Sequence, residues 1–108
     1  MTNEANTSEI RELDRAEIDV LKGPVLLQFG ASWCSHCKTA APLVALAREK
    51  YPGVCFIWVE DGKGKPLGRS FGVKLWPTLI FLRDGQECER IVRPSEAALL
   101  EQAMAKIS

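Results

Sequence analysis

Cys34 and Cys37 stand two residues apart in the stretch ASWCSHCK, Ala31 to Lys38, with Ser35 and His36 between them. Two thiols at this spacing can ligate a metal, staple the chain, or form a couple that opens and closes. Zinc needs ligands that converge on one point. Cys34, His36 and Cys37 at positions i, i+2 and i+3 of a helix do not converge, and no second C-x-x-C or H-x-x-x-H completes a tetrahedral set. No metal is expected. The other thiols, Cys55 and Cys88, lie far apart in separate apolar segments, which is a poor disulfide framework. In a reducing compartment, a close pair is more often catalytic or metal-binding than structural.

The elements around the motif favour redox chemistry. VLLQFG reads as a buried strand, apolar except for Gln28, and from Cys34 the pattern turns helical, with Ala40, Leu43, Val44 and Ala47 on one face. Pro42 is expected to kink that helix, and Tyr51-Pro52-Gly53 to end it. Cys34 then sits at a helix N-terminus, where unpaired backbone N–H groups and the macrodipole favour a thiolate. Cys37 follows one turn later, close enough for a disulfide to close. The expected arrangement is an exposed attacking thiolate and a partly buried resolving thiol, as thiol–disulfide exchange requires.

Elsewhere the chain alternates in type. EIREL reads as a short strand, and Asp14 with Glu17 as a capping box for a helix through Ile18, Val20 and Leu21, stopped by Gly23-Pro24. VCFIWVE reads as a second buried strand, with Cys55 an inert small hydrophobe inside it. The glycine- and lysine-rich DGKGKPLGRSFG is a loop with at most one helical turn. It lacks the G-x-x-x-x-G-K-[ST] phosphate cradle, and its Lys63, Lys65, Arg69 and Lys74 read as a solvated basic face. TLIFL and ECERIV flank an Asp84-Gly85 hairpin turn, which leaves Cys88 partly exposed as a bystander. Ser95 is expected to cap a last helix facing inward at Ala98, Leu99, Ala103 and Ile107. Parallel strands joined by helices, followed by a hairpin, imply an α/β domain whose mixed central sheet carries helices on both faces.

The whole chain narrows the function classes. Its 108 residues suit one domain, expected over 9–108 after a disordered tail at 1–8. Fourteen basic and fourteen acidic residues cancel, so no net field draws the chain to nucleic acid or an anionic membrane. The polar N-terminus has no apolar segment of a secretory leader, and no run approaches the roughly 18 apolar residues of a membrane span. A cytoplasmic monomer is the expectation.

With these residues in view, the chain resembles the thioredoxin family from about Ile10 onward. The landmarks are VLLQFGASWCSHCK, FGVKLWPTLIFLRDG and the closing helix. The resemblance implies a thioredoxin fold and a Cys34–Cys37 redox couple acting on protein disulfides or dithiols without a further cofactor. It also implies a recycling reductase or oxidase as partner. Pro77 would be cis, with Trp76 and Pro77 lining a substrate groove, and Trp33, Leu75, Val92 and Arg93 completing the docking face.

Three departures from the family pattern bear on function. Ser35-His36 stands where reductases usually carry Gly-Pro; a His beside the attacking sulfur would stabilise the reduced form and make the couple more oxidising. Gln28 stands where the family has an acid that accepts the resolving thiol's proton. Gln cannot do so, and the matching Lys on the next strand is missing. Gly30 stands for a common Trp, and Arg93 for a glycine bordering the groove. The expected function is a protein-disulfide reductase of raised potential, with a disulfide oxidase or isomerase and a chaperone-like binding module as alternatives.

Overall fold

The computed structural model describes residues 13–108. The tail expected at 1–8 and the EIREL strand, apart from Leu13, lie outside the described residues. Helix α1, Arg15–Asp19, starts at the expected capping box: Asp14 Oδ1 accepts from the Glu17 N–H at 2.8 Å, and Glu17 Oε1 accepts from the Asp14 N–H at 2.9 Å. The helix ends sooner than expected. Val20 is its C-cap and 71% exposed, while Ile18 is fully buried.

Among the described residues, strand β1, Pro24–Gly30, is central in a four-stranded sheet of order β2-β1-β3-β4, parallel to β2 (Cys55–Glu60) and antiparallel to β3 (Thr78–Arg83). Helix α2, Ser35–Lys50, connects β1 to β2, and α3, Pro66–Ser70, precedes β3. Strand alternation sends β1 residues to two separate cores. Leu26 packs with Val44 and Ala47 of α2, and with Leu100, Ala103 and Met104 of α4 (Ala97–Ile107). Val25, Leu27 and Phe29 face the other way, onto Ile18 of α1, Leu67 of α3 and Phe71. Each fully buried large side chain contributes roughly 1.5–3 kcal/mol. The sheet is thus held from both faces, and the end of β1 that leads into the cysteine motif is fixed.

β3 and β4 (Gln86–Val92) form the expected hairpin. Asp84 at φ 51° and Gly85 at φ 78° make the left-handed turn that suits it, and a Cβ on Gly85 would meet the Asp19 carbonyl oxygen, so only glycine fits. The register slips between Phe81 and Leu82, opposite the exposed Cys88.

Two expectations are corrected. β2 is not a buried strand: among the described residues it is a sheet edge, its side chains are exposed or half-buried, and Cys55 is exposed. An apolar run has the same pattern in a central strand as at an edge, and only the pairing order separates them. In α4 the N-cap is Glu96 rather than Ser95, and the inward residues are Leu100, Ala103, Met104 and Ile107. Ala98 and Leu99 are exposed. AALLEQAMAKI is apolar at nearly every position of two adjacent stripes, so composition does not select one.

Candidate active site

β1 ends at Gly30, and the chain turns once, with the Cys34 N–H donating to the Ala31 carbonyl at 3.1 Å, before α2 begins. Cys34 is the N-cap of α2. Its sulfur takes the place of a capping oxygen, accepting from the Cys37 N–H at 3.2 Å. Both cysteines are free thiols, and each is 6% exposed. The expected contrast between an exposed and a partly buried sulfur is therefore absent from the areas. It is present in the electrostatics.

Burial works against a thiolate at Cys34, yet its pKa lies below the ordinary thiol value. The Cys37 thiol, the N–H groups of Cys37 and His36, and the charge of Arg93 together outweigh burial. At Cys37, burial leads in the opposite direction and pushes the thiol up to about 11. The hydrogen bond to Cys34 and the negative charges of Cys34 and Glu60 add to it, against a smaller pull from the Ala31 backbone. One sulfur is prepared to be the anion and the other to keep its proton.

The loop before β3 covers Cys34. The Trp76–Pro77 peptide is cis, and Pro77 is buried. The Trp76 carbonyl accepts from the Cys34 thiol at 4.0 Å and from Arg93 Nε at 2.8 Å. Arg93 holds φ 51°, a left-handed conformation in which glycine is easier, and its N–H donates to the Pro77 carbonyl at 3.0 Å. The Trp76 ring meets Trp33 edge-on at 5.5 Å, and its Nε1 donates to Asp61 Oδ2 at 2.9 Å. Trp33, Leu75 and Val92 are 72%, 50% and 43% exposed. Ser35 and His36 are exposed on the first turn of α2, so His36 acts on Cys34 here through its backbone N–H rather than its ring.

Behind Cys37 lies a cavity of about 280 Å³, lined by Gln28, Ala31, Ser32, Phe56 and Trp58 among others. Gln28, 4% exposed, is the register partner of Trp58. A Cβ on Gly30 would lie 2.7 Å from Cys37 Sγ and 2.8 Å from the Trp58 ring, so no side chain fits there. The aromatic wall beside Cys37 thus comes from β2 instead of from position 30. Glu60, the register partner of Gly30, accepts from the Ser32 N–H at 3.0 Å.

Trp58, Glu60 and Asp61 were not singled out in the sequence. The usable signal was position, because they end a strand parallel to β1, and sites in such sheets gather at the carboxyl ends of strands. Cys55 and Cys88 join no part of the site. Among the described residues, no group of three or more His, Cys, Asp or Glu could hold a metal ion.

The thioredoxin family model matches residues 9–106. The chain belongs to the thioredoxin family. It is 35% identical to a thioredoxin of Mycobacterium bovis over 94% of this chain and 92% of that one. It is likewise 35% identical to thioredoxin Asp f 28 of Aspergillus fumigatus over 80% of each. Reduced thioredoxin 2 from Pseudomonas aeruginosa PAO1 superposes with a TM-score of 0.80 at 52% identity, covering 89% of both chains. The thioredoxin fold is thereby established, and the Cys34–Cys37 pair is that of a thiol–disulfide oxidoreductase. The oxidase, isomerase and binding-module readings are not favoured. Thioredoxins act on protein disulfides and are recycled by a reductase. Among the described residues, no helix is long and apolar enough to cross a membrane.

Proposed function

We propose that the protein is a cytoplasmic, monomeric protein-disulfide reductase, needing no cofactor beyond the Cys34–Cys37 couple, with a potential above that of ordinary thioredoxin. The observation carrying this reading is the opposite bias of the two sulfurs, with Cys34 lowered and Cys37 raised to about 11. The Cys34 thiolate attacks one sulfur of a client disulfide. A Cys34–client bond forms, the client S–S bond breaks, and the second client sulfur leaves as a thiolate. Cys37 then gives up its proton and attacks the Cys34 sulfur, which closes the Cys34–Cys37 disulfide and expels the first client sulfur. Two electrons pass to the client, and a recycling reductase returns two electrons and two protons.

Gln28 cannot take the Cys37 proton. The departing client thiolate can, being a far stronger base than any carboxylate. Trp33, Leu75, Trp76, Pro77 and Val92 form the docking face, and Arg93 both holds the Trp76 carbonyl and favours the Cys34 thiolate. Of the two residues between the cysteines, His36 tunes the couple through its backbone N–H. Every group that favours the thiolate stabilises the reduced form and raises the potential, about 30 mV for each 1.4 kcal/mol.

The test pairs two assays on one preparation. The dithiol form is mixed with a protein disulfide and the new client thiols are counted, then the couple is equilibrated with defined glutathione ratios and trapped. Client reduction together with a potential above about −270 mV is expected. No client reduction overturns the reductase reading, and a potential at or below that value overturns the tuning.

A further inference from the structure

The cations between β2 and β3 are gathered, not scattered. Lys63, Lys65, Arg69 and Lys74 line a pocket of about 220 Å³ together with Asp61 and Trp76. Asp61, the one acid in that lining, is committed: it accepts from the Trp76 indole and presses against Gly68, where a Cβ would meet its carboxylate. Lys63, Arg69 and Lys74 are exposed, and no carboxylate among the described residues pairs with them. The chain as a whole is neutral, with fourteen residues of each sign, so this surplus is local. Like charges lining one pocket repel one another unless an anion comes between them.

Trp76 joins this pocket to the redox centre. Its ring packs against Ala31, Cys34 and Cys37, its carbonyl faces the Cys34 thiol at 4.0 Å, and its indole N–H ends at Asp61 in the basic pocket. A client chain with its cysteine at Cys34 reaches the cations by passing over one side chain. We propose that this pocket is a specificity subsite for acidic client segments, taking Asp or Glu residues within a few positions of the client's disulfide cysteine. The proposal rests on the reading of the protein as a protein-disulfide reductase.

The test uses two disulfide-bonded peptides, identical except that acidic residues flank the cysteine in one and lysines in the other. With the full chain at low salt, kcat/KM for the acidic peptide should exceed that for the basic one by about tenfold, a preference that added salt compresses. The double variant Lys63→Glu with Lys74→Glu should reverse the preference while leaving the rate with a small uncharged disulfide unchanged. Equal rates for both peptides, or a preference that survives the charge reversal, would overturn the subsite and leave the reductase reading standing. Failure to reduce either peptide would overturn the reductase reading, and the subsite with it.

Discussion

The two sides of the cysteine pair are built from opposite materials. In front of Cys34 stand hydrogen-bond donors and a cation: the N–H groups of His36 and Cys37, and Arg93, held on the Trp76 carbonyl at 2.8 Å. Behind Cys37 stand an aromatic wall, the neutral Gln28 and the anion Glu60. The residues are three apart and equally exposed, yet burial is outweighed at Cys34 and leads at Cys37, because different groups face each sulfur. A helix N-terminus aims its free N–H groups at the first thiol, while the second, one turn inside, meets the carboxyl ends of β1 and β2.

Removing the rear sulfur breaks this comparison most severely. Cys37→Ser keeps Cys34 and the loop that covers it but removes the thiol proposed to resolve the intermediate. Turnover should fall by more than about a hundredfold, and a Cys34–client disulfide should accumulate on a non-reducing gel. Retained turnover without a trapped species would show that Cys37 is not the resolving group.

Filling the space between the two regions is the next largest perturbation. Gly30→Ala places a methyl 2.7 Å from Cys37 Sγ and 2.8 Å from the Trp58 ring. Urea unfolding of the dithiol form should show a loss of about 1–3 kcal/mol. An unchanged midpoint would mean that the Trp58 ring moves freely and does not wall the sulfur.

The smallest effect sharpens the electrostatic half of the comparison. Glu60→Gln keeps an acceptor for the Ser32 N–H while deleting the charge that helps hold Cys37 up near 11. The Cys37 pKa should fall. Each unit of fall yields tenfold more thiolate at neutral pH but a weaker nucleophile, a net gain of about threefold in the resolution step. Mixed-disulfide decay in stopped flow measures it, and slower decay would contradict the assigned sign.

This contrast explains what was legible in the sequence. The capping box at Asp14 and Glu17, the Asp84-Gly85 hairpin and the strand-to-helix switch at Cys34 each declare themselves within a few residues, and each stands where expected. The helix N-terminus at Cys34 was readable for the same reason, whereas Trp76, Pro77 and Arg93 were named only through the family resemblance. The rear of the site was not readable, because Trp58 and Glu60 reach Cys37 only through the pairing of β2 with β1, and no local pattern encodes a register between distant strands. The mistaken burial of β2 has the same origin, since an edge and a centre look alike until the strand order is known. The shift in α4 is different: nearly uniform apolar composition left the inward face to be chosen by the sheet it covers.

The central claim, that the fold makes two neighbouring thiols unlike, is tested most directly by titrating them separately. The dithiol form is alkylated with iodoacetamide across a range of pH, and modification at Cys34 and Cys37 is quantified by peptide mass mapping. Cys34 should react with a midpoint below the ordinary thiol value, and Cys37 only as the pH rises toward about 11. Coincident midpoints at the ordinary thiol value, or Cys37 reacting first, would contradict the account.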